Sequence, residues 1–111
     1  MTPEQLFDIL SKYAESQGIR LNRDRDFVMD ILRGLLTNEQ RYGYRSCPCR
    51  LAWGEKAMDQ DIICPCVYRD PDIAEYGSCY CELYVSVEWN EGKTPHRQVP
   101  ERRPRDKRRM M

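Results

Sequence analysis

The chain has 111 residues, enough for one domain and not for a second sizeable core. Its 18 Lys/Arg and 18 Asp/Glu cancel unevenly: residues 92–111 hold eight basic against two acidic side chains, a net +6, and residues 1–91 hold ten against sixteen, a net −6. No apolar run approaches the roughly 20 residues of a membrane span, and Met1-Thr2-Pro3-Glu4 has no basic segment leading into an apolar one, so neither a membrane protein nor a secretory signal is expected. Thr2-Pro3-Glu4-Gln5 reads as a helix start: Thr2 caps, Pro3 suits the first turn and Gln5 completes a capping box. Leu6, Ile9, Leu10, Tyr13 and Ala14 then form an amphipathic face, with Gly18 as the stop. Asn22 or Asp24 opens a second helix, whose buried stripe is Val28, Ile31, Leu32 and Leu35, with Phe27 beside it. This helix is expected to run to about Gln40, with Gly43 beyond its end.

From Tyr44 the pattern changes, and cysteine pairs alternate with short segments. Residues 51–60 are expected to form a short helix despite Gly54. Asp70-Pro71-Asp72 reads as a cap and a helix-starting proline, stopped at Gly77. Residues 83–87 are β-prone, but one short strand does not make a sheet. After Trp89 come Pro95, Pro100 and Pro104, no periodic apolar face and a run of basic residues. Residues 1–91 are therefore expected to form the domain, and residues 92–111 a basic tail, extended or disordered in isolation. The only histidine, His96, falls in that tail, which argues against a cysteine–histidine hydrolase and against a two-histidine metal site.

The six cysteines fall as Cys47-Pro48-Cys49, Cys64-Pro65-Cys66 and Cys79-Tyr80-Cys81, three pairs within 35 residues. A stapling disulfide framework would scatter them, and here the first 46 residues would go unstapled, so an intracellular metal or redox site fits better. Four thiolates suit zinc or an iron–sulfur cluster, which leaves two cysteines over. Cys-x-Cys is tight for a single zinc, whereas a cubane cluster accepts ligands from separate segments at its corners. Pro48 and Pro65 stiffen their pairs and direct the two sulfurs apart. Two surplus thiols beside a cluster can form a disulfide which the cluster reduces. The residues thus point to a redox-active dithiol beside an iron–sulfur cluster, or to a structural zinc site with two spare thiols.

The order Cys-Pro-Cys, Cys-Pro-Cys, Cys-x-Cys resembles the catalytic (beta) chain of ferredoxin–thioredoxin reductase. Arg50 after the first motif, Val67 after the second and the two upstream helices also match, over roughly residues 6–87. The resemblance implies a small, mostly α, single-domain fold with cluster ligands on loops. It implies that Cys47, Cys64, Cys66 and Cys79 ligate a [4Fe–4S] cluster and that Cys49 and Cys81 form the active disulfide, Cys49 being the attacking thiol. It implies a cytoplasmic disulfide reductase, fed one electron at a time by ferredoxin or another low-potential donor. The acceptor would be thioredoxin or a glutaredoxin-like protein; the need for a second, variable subunit stays open. The alternative is a cysteine-ligated zinc or iron–sulfur module without turnover.

The chain departs from plant and cyanobacterial members in three ways. Tyr80 stands where they carry a histidine, and with an ordinary tyrosine value of about 10 it is a weaker proton donor near neutral pH, so its role is to manage the intermediate or only to pack. The spacings between the motifs differ, and the basic tail lies outside their pattern. These differences suggest an archaeal or anaerobic bacterial relative. Arg45 and Arg50 flank the first motif as candidates for lowering the Cys49 pKa, and Trp53 and Trp89 are candidate shields or ordinary packing residues. The tail lacks interleaved aromatics and the body is acidic, which disfavours nucleic acid and leaves docking of an acidic electron carrier as the milder expectation.

Overall fold

The structure is a computed structural model that describes residues 1–109. Local sequence chemistry dictates the first helix, α1, Pro3–Ser16. The Thr2 hydroxyl accepts the Gln5 amide at 3.1 Å and the Thr2 amide donates to Gln5 Oε1 at 2.8 Å, closing the capping box. Leu6 and Ala14 are fully buried, while Ile9, expected on the same face, is 51% exposed. Its place is at the margin of the stripe, and no later element among the described residues covers it.

A strand β1, Arg20–Leu21, leads to α2, Arg25–Tyr42. Asp24 caps α2 by accepting the Phe27 amide at 3.2 Å, and Gly43 ends it at φ 86°, two residues later than expected. Val28, Leu32 and Leu35 face inward and meet Leu6 and Ala14 of α1 in one core. Leu21, Ile62, Leu83 and Tyr84 belong to the same cluster, so the core is built against the helices by segments from the cysteine-bearing half.

That half is mostly loop. Residues 51–55 are not helical, because Gly54 sits at φ 86°; helix α3, Lys56–Asp59, is a single turn that runs into a 3-10 turn, Gln60–Ile62. Helix α4, Arg69–Tyr76, begins before Asp70, with Pro71 inside the first turn, where a missing N–H costs nothing, and stops at Gly77 as expected. The β-prone segment does find a partner: β2, Tyr84–Val85, pairs antiparallel with β1, Arg20 opposite Val85 and Leu21 opposite Tyr84. A short helix, α5, Val87–Asn90, follows. The architecture is a small helical domain with minimal strand, which agrees with the fold class expected from the sequence. No helix among the described residues is long and apolar enough to cross a membrane.

Residues 92–109 are largely extended chain, with one 3-10 turn, Arg105–Lys107. They lie against the domain, not apart from it. Val99 and Arg103 are buried, Arg102 pairs with Asp72 and Glu75, and Arg97 Nη2 donates to the Glu75 carbonyl at 2.9 Å. His96 stacks on Trp89 with ring centroids 3.6 Å apart.

Candidate active site

Each cysteine motif is fixed by a different part of the scaffold. Pro48 of the first motif lies directly against α2 at Gly34, where an added Cβ would sit 2.8 Å from Pro48 Cβ; only glycine permits that approach. Asn38 of α2 donates to the Ser46 carbonyl at 2.9 Å. The first and second motifs are tied by an antiparallel bridge between Ser46 and Ile63: the Cys47 amide donates to Ile62 and the Cys64 amide to Arg45, both at 2.8 Å. The third motif hangs from β2. The Cys79 amide donates to the Tyr84 carbonyl at 2.9 Å, and Glu82 closes the turn at φ 60°.

These ties converge the sulfurs. The Sγ atoms of Cys47, Cys49 and Cys81 all lie within 4.8 Å of one another, and Cys79 Sγ is 3.9 Å from Cys81 Sγ. The tightest group therefore joins both expected active thiols with one expected ligand, Cys47. Of the other expected ligands, Cys79 Sγ accepts the Tyr84 amide at 3.3 Å and Cys66 Sγ accepts Arg50 Nη1 at 3.5 Å, while among the described residues Cys64 finds no hydrogen bond through sulfur. Cys49 alone is exposed; Cys47, Cys79 and Cys81 are buried, and Cys64 and Cys66 are half-buried.

Proton sharing splits the acidities of these thiols. Hydrogen bonds from Cys49 and Cys81 hold Cys47 well below the ordinary thiol range, against the opposing effect of burial. Cys49 is pushed up to about 12, first because its proton bonds to Cys47. Cys81 is pushed well above the usual range by its bonds to Cys47, Cys49 and Cys79, and Cys79 is lowered by Cys81. Burial raises Cys64 and Cys66. The flanking arginines act elsewhere than the sequence suggested. Arg45 pairs with Glu39 at 3.4 Å, and the charge of Arg50 bears on Cys47 and Cys66.

Arg50 is the hub of the centre. Its guanidinium forms a bidentate pair with Glu101 of the tail at 2.9–3.0 Å, donates to Cys66 Sγ, and lies 4.5 Å from the Tyr80 ring centroid and 5.3 Å from that of Tyr68. The Tyr80 ring thus packs on Arg50, and burial raises its hydroxyl above the usual range. Sequence reasoning missed Glu101 and also Arg103, whose buried guanidinium meets Asp61 at 2.8 Å and Asp59 at 3.6 Å. The one available signal was a lone glutamate in a basic run. Trp53 is partly exposed and donates to the Lys107 carbonyl at 2.8 Å; Trp89 is buried against His96.

All donors at this centre are thiols from three loops, and two of the sulfurs already accept N–H bonds. Soft donors of this kind fit a metal or cluster site. A family model described as the ferredoxin thioredoxin reductase catalytic beta chain matches residues 2–103. The chain belongs to that family. No curated protein matches it. The family match takes in all three cysteine motifs and continues past residue 91 through Glu101 and Arg103, so part of the basic tail falls within the family's span.

Proposed function

We propose that the protein is a cytoplasmic iron–sulfur disulfide reductase, drawing single electrons from ferredoxin or a similar low-potential donor and reducing thioredoxin or a glutaredoxin-like protein. The observation that carries this reading is the grouping of Cys47, Cys49 and Cys81 within 4.8 Å, with Cys49 exposed and Cys81 buried. Cys47, Cys64, Cys66 and Cys79 are the residues that would hold the [4Fe–4S] cluster. When bound, such a cluster supplies electrons one at a time. Cys49 and Cys81 need only a small closure to reach the roughly 2.05 Å of a disulfide bond. As the accessible thiol, Cys49 attacks one sulfur of the partner's disulfide, and that bond breaks with its electron pair on the other sulfur. Cys81, held behind Cys49 and away from solvent, then attacks the mixed disulfide, releases the reduced partner and leaves a Cys49–Cys81 disulfide.

A second reading rests on the same three sulfurs. Three thiolates within 4.8 Å of one another also suit one zinc ion, with Zn–S bonds of about 2.3 Å, in a module without turnover. Paired variants separate the two. Under the reductase reading, Cys81→Ser accumulates a Cys49–thioredoxin adduct that added thiol releases, and Cys49→Ser forms no adduct yet keeps its iron. Mass spectrometry and iron analysis read both. Loss of metal from Cys49→Ser, or an adduct through Cys81 alone, contradicts the assigned roles.

A further inference from the structure

Cys49 opens into a cleft of about 290 Å³, walled on its apolar side by Leu51 and Tyr80 and otherwise by charged side chains, most of them from the tail. Most of those charges are already neutralised. Arg50 is paired with Glu101, whose Oε1 also accepts the Arg103 amide, and Arg103 is paired with Asp61 and Asp59. Arg108 and Arg109 differ. Arg108 donates Nε to the Arg103 carbonyl at 2.7 Å and Nη2 to the Glu101 carbonyl at 3.2 Å; Arg109 donates Nη1 to the Ala52 carbonyl at 3.0 Å. Among the described residues neither has a carboxylate within ion-pair distance. Backbone carbonyls orient the two guanidiniums without cancelling their charge, so both remain free to meet an anion beside Cys49.

We propose that Arg108 and Arg109 select the disulfide substrate, favouring a disulfide flanked by carboxylates, in the form of an acidic segment of a small partner protein. The inference rests on Cys49 being the attacking thiol. The cleft is too small for a folded domain and suits a disulfide with its neighbouring side chains. In the reaction Cys49 gives up its proton to solvent as its sulfur forms a bond to one partner sulfur, the partner's S–S bond breaks, and the second partner sulfur leaves as a thiolate that takes up a proton. Carboxylates next to that sulfur would face Arg108 and Arg109 as the new negative charge develops. The two electrons delivered to the partner come from the dithiol, which ends as the Cys49–Cys81 disulfide.

The test uses the full-length protein, purified anaerobically and reduced, with two disulfide probes: dianionic 5,5′-dithiobis(2-nitrobenzoate) and neutral 2,2′-dithiodipyridine. The readout is the ratio of their rate constants for release of the probe's thiol, followed by absorbance, with the site of attack mapped to Cys49 by mass spectrometry in a Cys81→Ser background, where the adduct is not resolved. In Arg108→Gln/Arg109→Gln the ratio should fall by about fivefold for each arginine removed. The corresponding Lys/Lys variant, which keeps the charges, should retain most of the ratio. Raising the ionic strength to about 0.5 M should erode the ratio of the wild type more than that of the Gln variant. An unchanged ratio in the Gln variant, or a Lys variant that behaves like it, overturns the proposal and leaves Cys49 as the nucleophile. Failure of Cys49 to react with either probe overturns the assignment on which the proposal stands.

Discussion

The two halves of the chain are held in different ways. In helices α1 and α2 the defining bonds are local: Thr2 with Gln5, Asp24 with Phe27, and apolar stripes at helical spacing. In the cysteine-bearing half they are distant. Arg50 reaches Glu101 across 51 positions, Arg103 reaches Asp61 across 42, and Trp53 reaches Lys107 across 54. Loops with little apolar surface of their own are positioned by desolvated charge pairs, and removing one partner of such a pair leaves the other uncompensated. A contact network of that kind, with α2 behind the first motif and β2 behind the third, places six sulfurs on three loops.

The sharpest way to break the contrast is to remove a sulfur. Cys64→Ser or Cys66→Ser should lose the bound iron and sulfide and loosen the surrounding loops, because metal binding and folding are coupled. Far-ultraviolet circular dichroism should show the signal of α1 and α2 largely retained. Full iron retention in either variant would contradict the ligand assignment.

Next in size is the buried charge cluster. Arg103→Met should cost about 3–5 kcal/mol in urea unfolding, since Asp59 and Asp61 lose their guanidinium at a site only 1% exposed. Acid titration sharpens the same point. Burial alone would raise the Asp61 carboxyl, but the Tyr68 hydroxyl and Arg103 outweigh it and hold it below the ordinary value. Its stabilising contribution is therefore present above the unfolded carboxylate value of about 3.9 and is lost as pH falls through the lower folded value. Arg103→Met should weaken this acid limb, and Asp61→Asn should abolish it.

Two smaller substitutions probe the junction and the helices. Gly34→Ala would raise helix propensity by up to about 1 kcal/mol, but its Cβ meets Pro48 at 2.8 Å. A net loss of about 1–3 kcal/mol is expected from the clash, with faster alkylation of Cys47 as the first motif is displaced. Thr2→Ala removes only a local cap and should cost about 1 kcal/mol, leaving the reactivity of Cys49 unchanged. A Thr2→Ala effect on that reactivity would erase the distinction between the halves.

The same contrast explains what was legible in the sequence. Caps and stripes are short-range, so both long helices could be read from their residues, Ile9 apart, whose exposure depends on what does not pack over it. The pairing of Arg20–Leu21 with Tyr84–Val85 was hidden because two residues carry no periodic signal. The order of the cysteines pointed to the family. Their mutual distances depend on the Ser46–Ile63 and Ser78–Val85 bridges, which spacing does not encode. The tail offers only prolines, a basic run and no apolar period, while the acids that bind it, Asp59, Asp61, Asp72 and Glu75, lie 27 or more positions upstream.

The central claim is that four of the six cysteines hold an iron–sulfur cluster and two remain for disulfide chemistry. Its most direct test is an iron, zinc and acid-labile sulfide count on the anaerobically purified wild-type chain, together with a count of thiols open to alkylation after reduction. About four irons and four sulfides per chain, with about two reactive thiols, is the expected result. One zinc with no sulfide would contradict it.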